Sequence, residues 1–249
     1  MPPIEISEEQ GVRFLHFGSE WIQGAMRLRN PNALELTYTR EMMAGLLLKP
    51  DDWPRNALLI GLGAASLTRF LYHHCPHTRL HVVEIDPRVV AAARHFFKLP
   101  EEDRRLTIQI GDGVRFALES DRRFDYILVD GFDRNARAGA LDTLPFYQAA
   151  RARLSERGLM AVNLFGRSRG FKSSVERIIT AFEDRALAFP SCDSGNVIAF
   201  AAEGEAVSMP LSEIRQNARV LKARTGLDLL PTVARLEQAG SLPGGRLIL

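Results

Sequence analysis

From Ala57 onward, short apolar runs alternate with amphipathic stretches, and few folds accommodate that alternation. ALLIG at 57–61, LHVVE at 80–84, LTIQI at 106–110, FDYILV at 124–129 and GLMAVNLF at 158–165 have the length and aliphatic content of buried strands. The segments between them read as helices: 65–73, a stretch through AAARHFF with Pro87 in its first turn, VRFALES at 114–120, 144–154 and SSVERIITAFED at 173–184. Strands alternating with helices form a parallel sheet covered on both faces, so the expected class is α/β. RALAFPS and NVIAFAAE read as a closing strand pair.

The flanks are less regular. Residues 12–48 carry partly alternating segments broken by Gly18, Gly24 and Asn30-Pro31-Asn32, which predicts a small β region and then a helix from about Thr39 to Leu48. After Glu203, LSEIRQNARVLKAR predicts an amphipathic helix, and GGRLIL a segment packing back on the domain or on a partner. The expected division is a β-rich region with a helix over 1–50, a nucleoside-binding domain over 51–203 and a helical tail over 204–249.

Composition narrows the partners. With 46% hydrophobic and 25% charged residues, the chain has material for a core and reads as a soluble protein. A net charge of +2 is too balanced for a nucleic-acid-binding face, so none is expected. No apolar run approaches the ~18 residues of a membrane span. The polar, acidic start MPPIEISEEQ does not read as a secretory leader. Cys75 and Cys192 make at most one bridge, and reduced thiols in the cytoplasm are the simpler expectation.

In open parallel sheets, ligands lie at the carboxyl ends of the strands. Here Gly61 and Gly63, then Glu84 and Asp86, then Asp112 and Gly113, then Asp130 fall at four successive strand ends. Glycine permits a tight turn and close approach of a ligand. An acid about 20 residues past such a turn can accept both ribose hydroxyls, and Glu84 has that spacing from Gly63. Asp112 can accept from an adenine amine, or it can cap a helix, as can Asp86 before Pro87. The third glycine of a dinucleotide turn is absent, because position 66 is Ser. An adenosine ligand without a pyrophosphate fits better, which points to S-adenosylmethionine or a relative.

VEIDPRVV, IGDGVRF and FDYILVDGFD, with WIQGAMRL ahead of TYTREMM, resemble the spermidine synthase (polyamine aminopropyltransferase) family over about residues 20–200. The resemblance implies a small N-terminal β region on a Rossmann-like, methyltransferase-type doubly wound sheet, often in a homodimer. It implies transfer of an aminopropyl group from decarboxylated S-adenosylmethionine to a small-molecule amine such as putrescine. Position by position, Gln23 resembles the nucleoside-contacting glutamine, Glu84 the ribose acid, and Asp112 and Gly113 the adenine contacts. Asp130 resembles the catalytic acid of the D-S-S-D-P motif and Asp133 the aspartate holding the acceptor amine. Tyr38 stands near the tyrosine of the acceptor pocket.

The departures are specific. The family turn G-G-G-D-G-G reads Gly61-Leu62-Gly63-Ala64-Ala65-Ser66, so an acid is replaced by Ala64. Y-H-E becomes Tyr38-Thr39-Arg40-Glu41, one residue out of register, and D-S-S-D-P becomes Asp130-Gly131-Phe132-Asp133-Arg134, with Arg137 beyond. An aspartate at 64 would attract the aminopropyl ammonium and repel the carboxylate of ordinary S-adenosylmethionine; alanine does neither. Arg134 and Arg137 oppose a cationic acceptor. The expectation is weaker selectivity for the decarboxylated donor, and with it either an acceptor less cationic than putrescine or ordinary S-adenosylmethionine as the donor.

The chemistry needs a neutral amine. With a reference pKa near 10.4, deprotonation at pH 7 costs roughly 4–5 kcal/mol, which a carboxylate at the strand end can offset by taking the proton. Asp130 suits that base role; otherwise it is a cap or loop anchor. Two further readings share the nucleoside site: an S-adenosylmethionine-dependent methyltransferase and a nucleoside-binding module without turnover. His73, His74, Cys75 and His77 form one tight run with no second cluster, so no metal is expected. Phe146 and Tyr147 are expected to pack on the sheet.

Overall fold

The computed structural model describes residues 3–19, 21–131, 138–192, 195–240 and 242–249. Strands β1 (Glu5–Glu9), β2 (Val12–His16) and β3 (Ile22–Arg27) form an antiparallel sheet. Gln10 and Gly11 both have positive φ, 49° and 75°, and make a two-residue turn whose twist matches that of paired strands.

The seven-stranded sheet contains β4 (Asn56–Ile60), β5 (Arg79–Glu84), β6 (Leu106–Ile110), β7 (Phe124–Val129), β8 (Leu154–Phe165), β9 (Ala186–Ala188) and β10 (Asn196–Ala202), in the order β6-β5-β4-β7-β8-β10-β9. β4 to β8 pair in parallel, while β10 is antiparallel to β8 and to β9. The helices are α1 (Thr37–Glu41), α2 (Ser66–His74), α3 (Pro87–Phe96), α4 (Gly113–Glu119), α5 (Leu144–Ala152), α6 (Phe171–Ala181), α7 (Leu211–Thr225) and α8 (Leu230–Gln238). The expected mostly parallel, doubly wound α/β sheet with a small N-terminal β region is the observed one.

Side chains alternate along each strand, so the sheet has two apolar faces. Leu58, Ile60, Ile127 and Val129 pack with Phe146, Tyr147, Ala150 and Ile178 of α5 and α6. Ala57, Leu59, Tyr126 and Leu128 belong to the opposite cluster, with Phe70 and Leu71 of α2 and Val89 and Val90 of α3. The C-terminal helices join that second cluster. Leu211, Ile214, Ala218 and Leu221 make the buried stripe of α7, at the spacing of an amphipathic helix. The last residues also turn inward: β11 (Ser208–Pro210) pairs with β12 (Arg246–Ile248), and Leu247 and Leu249 are buried.

The helix expected from Thr39 to Leu48 is instead the single turn α1, followed by a 3-10 turn over Ala44–Leu47. The reason is Tyr126. Its buried hydroxyl donates to the Met42 carbonyl, which a continuous helix would use internally. The same hydroxyl lies 2.7 Å from where a Cβ on Gly45 would stand.

Arg69 is wholly buried and fastens the turn after β4 to its surroundings. Its guanidinium donates to Pro31 O at 2.8 Å, to Phe97 O at 2.6 Å and to Ala64 O. Ala64 itself packs with Leu15, Met26 and Phe97, which docks the N-terminal sheet on the turn. That contact is close: a Cβ on Gly24 would lie 2.6 Å from Ala64 Cβ and 2.9 Å from its backbone nitrogen. Gly24→Ala is therefore expected to cost about 1–3 kcal/mol by overpacking. Thermal denaturation reads this as a fall in Tm of about 2–4 °C per kcal/mol.

Candidate active site

The chain runs outward from β4 to β5 and β6, then returns to place β7 on the other side of β4. The strand order reverses between β4 and β7, where a parallel sheet opens a crevice. A cavity of about 1400 Å³ lies there, roofed by residues of the N-terminal sheet. Gln23, Tyr38, Gly61, Gly63, Glu84, Asp112, Gly113 and Asp130 all border it. Asp133, Arg134 and Arg137 lie outside the described residues.

The glycine turn holds the end of β7. Gly61 has φ +96°, and a Cβ there would lie 2.4 Å from the Asp130 carbonyl oxygen. Asp130 N donates to Ile60 O at 2.9 Å, so the two strand ends meet backbone to backbone. Only glycine allows both the conformation and the approach. Gly63 is also left-handed, at +49°.

Glu84 is 7% exposed and is fixed through both oxygens. Oε2 accepts from Leu62 N at 2.8 Å and Oε1 from Asp86 N at 2.9 Å. Burial pushes its carboxyl above the ordinary glutamate range, against the pull of these backbone bonds. Lone pairs remain on both oxygens for a further donor. Asp86 caps α3 and is paired with Arg88, at 2.6 Å between Oδ2 and Nη2. Asp112 caps α4 through Oδ1, with Val114 N at 2.7 Å, and also borders the cavity.

Asp130 is half-buried and opens to the cavity. Asn163 Nδ2 donates to its Oδ1 at 2.9 Å, and Asn196 Nδ2 donates to Asn163 Oδ1 at 2.9 Å. Tyr38 borders the same cavity as Asp130, and its phenol acts on the Asp130 carboxylate, favouring the ionised form. Desolvation raises the Asp130 pKa, and Asn163 and Tyr38 counter it only in part. Tyr38 is pushed well up by its own burial, then by Asp130, so it stays a protonated donor. Beyond Asn163, Trp21 and Phe165 meet edge to face, 5.7 Å between centroids, and both border the cavity.

Among the described residues no group of three or more His, Cys, Asp or Glu is placed to hold a metal ion. His73 is exposed, while Cys75 and Cys192 are buried and not bridged to each other. Burial raises the Cys75 thiol to about 11, so it is unreactive at neutral pH. Phe146 and Tyr147 do pack on the sheet, with Tyr147 Oη donating to Asp142 at 2.9 Å.

The family model of the Spermine/spermidine synthase domain matches residues 35–164, more than half of the chain. The chain belongs to the spermine/spermidine synthase family. A polyamine aminopropyltransferase of Chromobacterium violaceum is 38% identical over 249 residues, covering 100% of this chain and 95% of that protein. This member is accordingly an enzyme, a transferase of the aminopropyltransferase type. The fold is also that of a probable spermidine synthase from Corynebacterium glutamicum, with TM-score 0.69, 21% identity and coverage of 90% and 91% of the two chains. Human methyltransferase-like protein 13 in complex with SAH has TM-score 0.67 at 23% identity, covering 77% of this chain and 93% of that one. At such identities these two likenesses speak for the fold alone.

The departures from the family pattern now have a place. Ala65 takes φ +55°, a left-handed conformation, where the pattern has glycine. Ala64 is 2% exposed and turned toward Gly24, bordering a void of about 10 Å³ beside the main cavity. The one-residue shift of Tyr38 does not remove it from Asp130. Asn163 and Asn196 escaped the sequence reading. Their signal was weak: Asn163 is a single amide in the apolar run LMAVNLF.

Proposed function

We propose that this enzyme transfers an aminopropyl group from decarboxylated S-adenosylmethionine to a primary amine of the polyamine type, with Asp130 as the base. The observation that carries the reading is the Asp130 carboxylate at the crevice between β4 and β7, bonded by Asn163 and bordering the cavity with Tyr38. Glu84 would hold the ribose hydroxyls, Asp112 and Gly113 the adenine, and Gln23, Gly61 and Gly63 the remaining walls of the nucleoside site. Tyr38, and Asp133 by resemblance, would orient the acceptor. The Trp21–Phe165 pair would line its methylene chain, since residues 163 and 165 share a strand face about 7 Å apart.

The step is an in-line displacement. The amine lone pair forms the new N–C bond, and the C–S bond breaks with its electrons going to sulfur, leaving methylthioadenosine. The ammonium proton passes to Asp130 and then to solvent. A sulfonium already activates the carbon, so the chain supplies orientation and a proton acceptor.

The test pairs each donor with putrescine and follows the nucleoside product by mass spectrometry. Methylthioadenosine from the decarboxylated donor is expected. S-Adenosylhomocysteine would mark a methyltransferase, and tight nucleoside binding without product a non-catalytic module. Ala64 places no carboxylate against the donor's own, so S-adenosylmethionine is expected to bind as a competitor in calorimetry.

The reading extends to setting and parts. A cytoplasmic homodimer acting on a small molecule, without metal or nucleic acid, suits the buried, unbridged cysteines and the balanced charge. No helix among the described residues is long and apolar enough to cross a membrane. In the division at 50 and 203, the N-terminal part roofs the site and the tail braces it. Light scattering on the purified enzyme tests the dimer.

A further inference from the structure

We infer that the C-terminal helix α8 sets the catalytic geometry, because Arg235 holds Glu41 and thereby the one-turn helix that carries Tyr38 to Asp130. The inference rests on the function proposed above for Asp130. Arg235 is a positioning residue and touches neither substrate nor base.

α1 cannot hold its own position. It spans Thr37–Glu41, has no side-chain cap at its start and is far shorter than an independently stable helix. Its place is set by tertiary contacts, and the tail supplies one at the decisive end. Glu41 is wholly buried and forms an ion pair with the Arg235 guanidinium. Thr232 Oγ1 of the same helix donates to Glu41 Oε1 at 3.3 Å. A second grip follows where Asn217 Nδ2 of α7 donates to Leu47 O at 2.8 Å.

Glu41 stands three residues after Tyr38, so one turn of helix links the ion pair to the phenol that faces the cavity beside Asp130. The pairing does not serve stability well. Glu41 Oε2 and both Nε and Nη2 of Arg235 have no hydrogen-bond partner among the described residues. Apolar residues of similar size at such a pair are often neutral or stabilising. What apolar packing lacks is the charge attraction and the Thr232 bond that tie α1 to α8, and such a lock suits a tyrosine shifted by one position. Among the described residues, the groups that act on Asp130 are Tyr38 from α1 and Asn163 from β8; Cys192 acts on Tyr38. Glu41 and Arg235 act on Asp130 only through Tyr38.

The test compares Arg235→Met, Tyr38→Phe, the two combined, and the charge-free pair Glu41→Gln/Arg235→Met. Removing Arg235 alone strands a buried carboxylate and can lower Tm, so the charge-free pair carries the decision. For it, kcat is expected to fall about ten- to a hundredfold, the range of one hydrogen bond to a charged group. Methylthioadenosine affinity is expected to stay within about twofold, because nothing in the nucleoside site has moved. The acid limb of the kcat profile should move upward as in Tyr38→Phe. Adding Arg235→Met to Tyr38→Phe should cost nothing further, since both remove one interaction. Multiplying losses, an unmoved acid limb, or nucleoside affinity falling in step with Tm would each overturn the inference. A crystal structure of the charge-free pair decides without turnover: the Tyr38 hydroxyl should leave Asp130, and its retention there refutes the lock. If the wild type transfers no aminopropyl group, the product assay condemns the function while this structure still judges the lock.

Discussion

Asp130→Asn is expected to lower kcat for amine alkylation by about 10²–10⁴, the usual range for loss of a positioned base. The substitution keeps shape and the bond from Asn163, since an amide oxygen can occupy the Oδ1 position. It removes the proton acceptor and the negative charge beside Tyr38. Methylthioadenosine should bind nearly as before, and stopped-flow or steady-state kinetics beside calorimetry separates the two effects. The pH dependence has a definite sign. Burial raises the Asp130 pKa, so the folded protein prefers the protonated acid more than the unfolded chain does. Its ionisation therefore costs stability as pH rises from the ordinary carboxylate range through the raised folded value. Asp130→Asn should have a higher Tm than wild type at neutral pH, with the gap closing in acid. In wild type, the acid limb of the rate profile should lie above the ordinary aspartate range. A limb inside that range, or an unchanged kcat in Asp130→Asn, would remove Asp130 from the chemistry.

The strand ends were legible because their physics is local. A glycine pair after an apolar run, and acids after the next three, announce turns facing a ligand wherever the sheet is parallel. What brings Gly61 against the Asp130 carbonyl is a contact between distant segments, yet both residues could be chosen from their own neighbourhoods. The failures are of another kind. The helix over 39–48 has ordinary helical residues, and only Tyr126, far along the chain, takes the Met42 carbonyl and divides it. The ion pair between Glu41 and Arg235 joins residues separated by most of the chain, with no motif at either end. Asn163 sits in the apolar run LMAVNLF of β8, and its value depends on Asp130 lying at the end of the adjacent strand β7. The register shift at Tyr38 left its place in the acceptor pocket open in one dimension. In three, Tyr38 borders the cavity from α1, a single turn.

Replacing Glu84 by Gln should be the most damaging single-atom change to nucleoside binding. Each Glu84 oxygen faces a backbone N–H, Leu62 on the glycine turn and Asp86 at the end of the next strand. A glutamine must turn its own NH₂ toward one of them, leaving a donor against a donor in a buried place. A charged hydrogen bond is lost and a polar group orphaned, which together cost several times RT. The glycine turn and the β5 end then lose their common anchor, and the ribose loses its acceptor. Affinity for methylthioadenosine is expected to fall about a hundredfold or more by calorimetry, a loss near 3 kcal/mol. Asp112→Asn should cost far less, because asparagine caps a helix about as well as aspartate. The pH dependence separates a ligand acid from a merely structural one. Burial raises the Glu84 pKa in the free protein, whereas ribose hydroxyls donating to the carboxylate favour its ionised form. Nucleoside affinity should therefore weaken as pH falls through the raised value toward the ordinary glutamate range, with a proton released on binding in that window. In Glu84→Gln that dependence should vanish. If affinity weakens in Glu84→Gln but the wild type shows no proton release in acid, Glu84 only braces the turn and the ribose is held elsewhere.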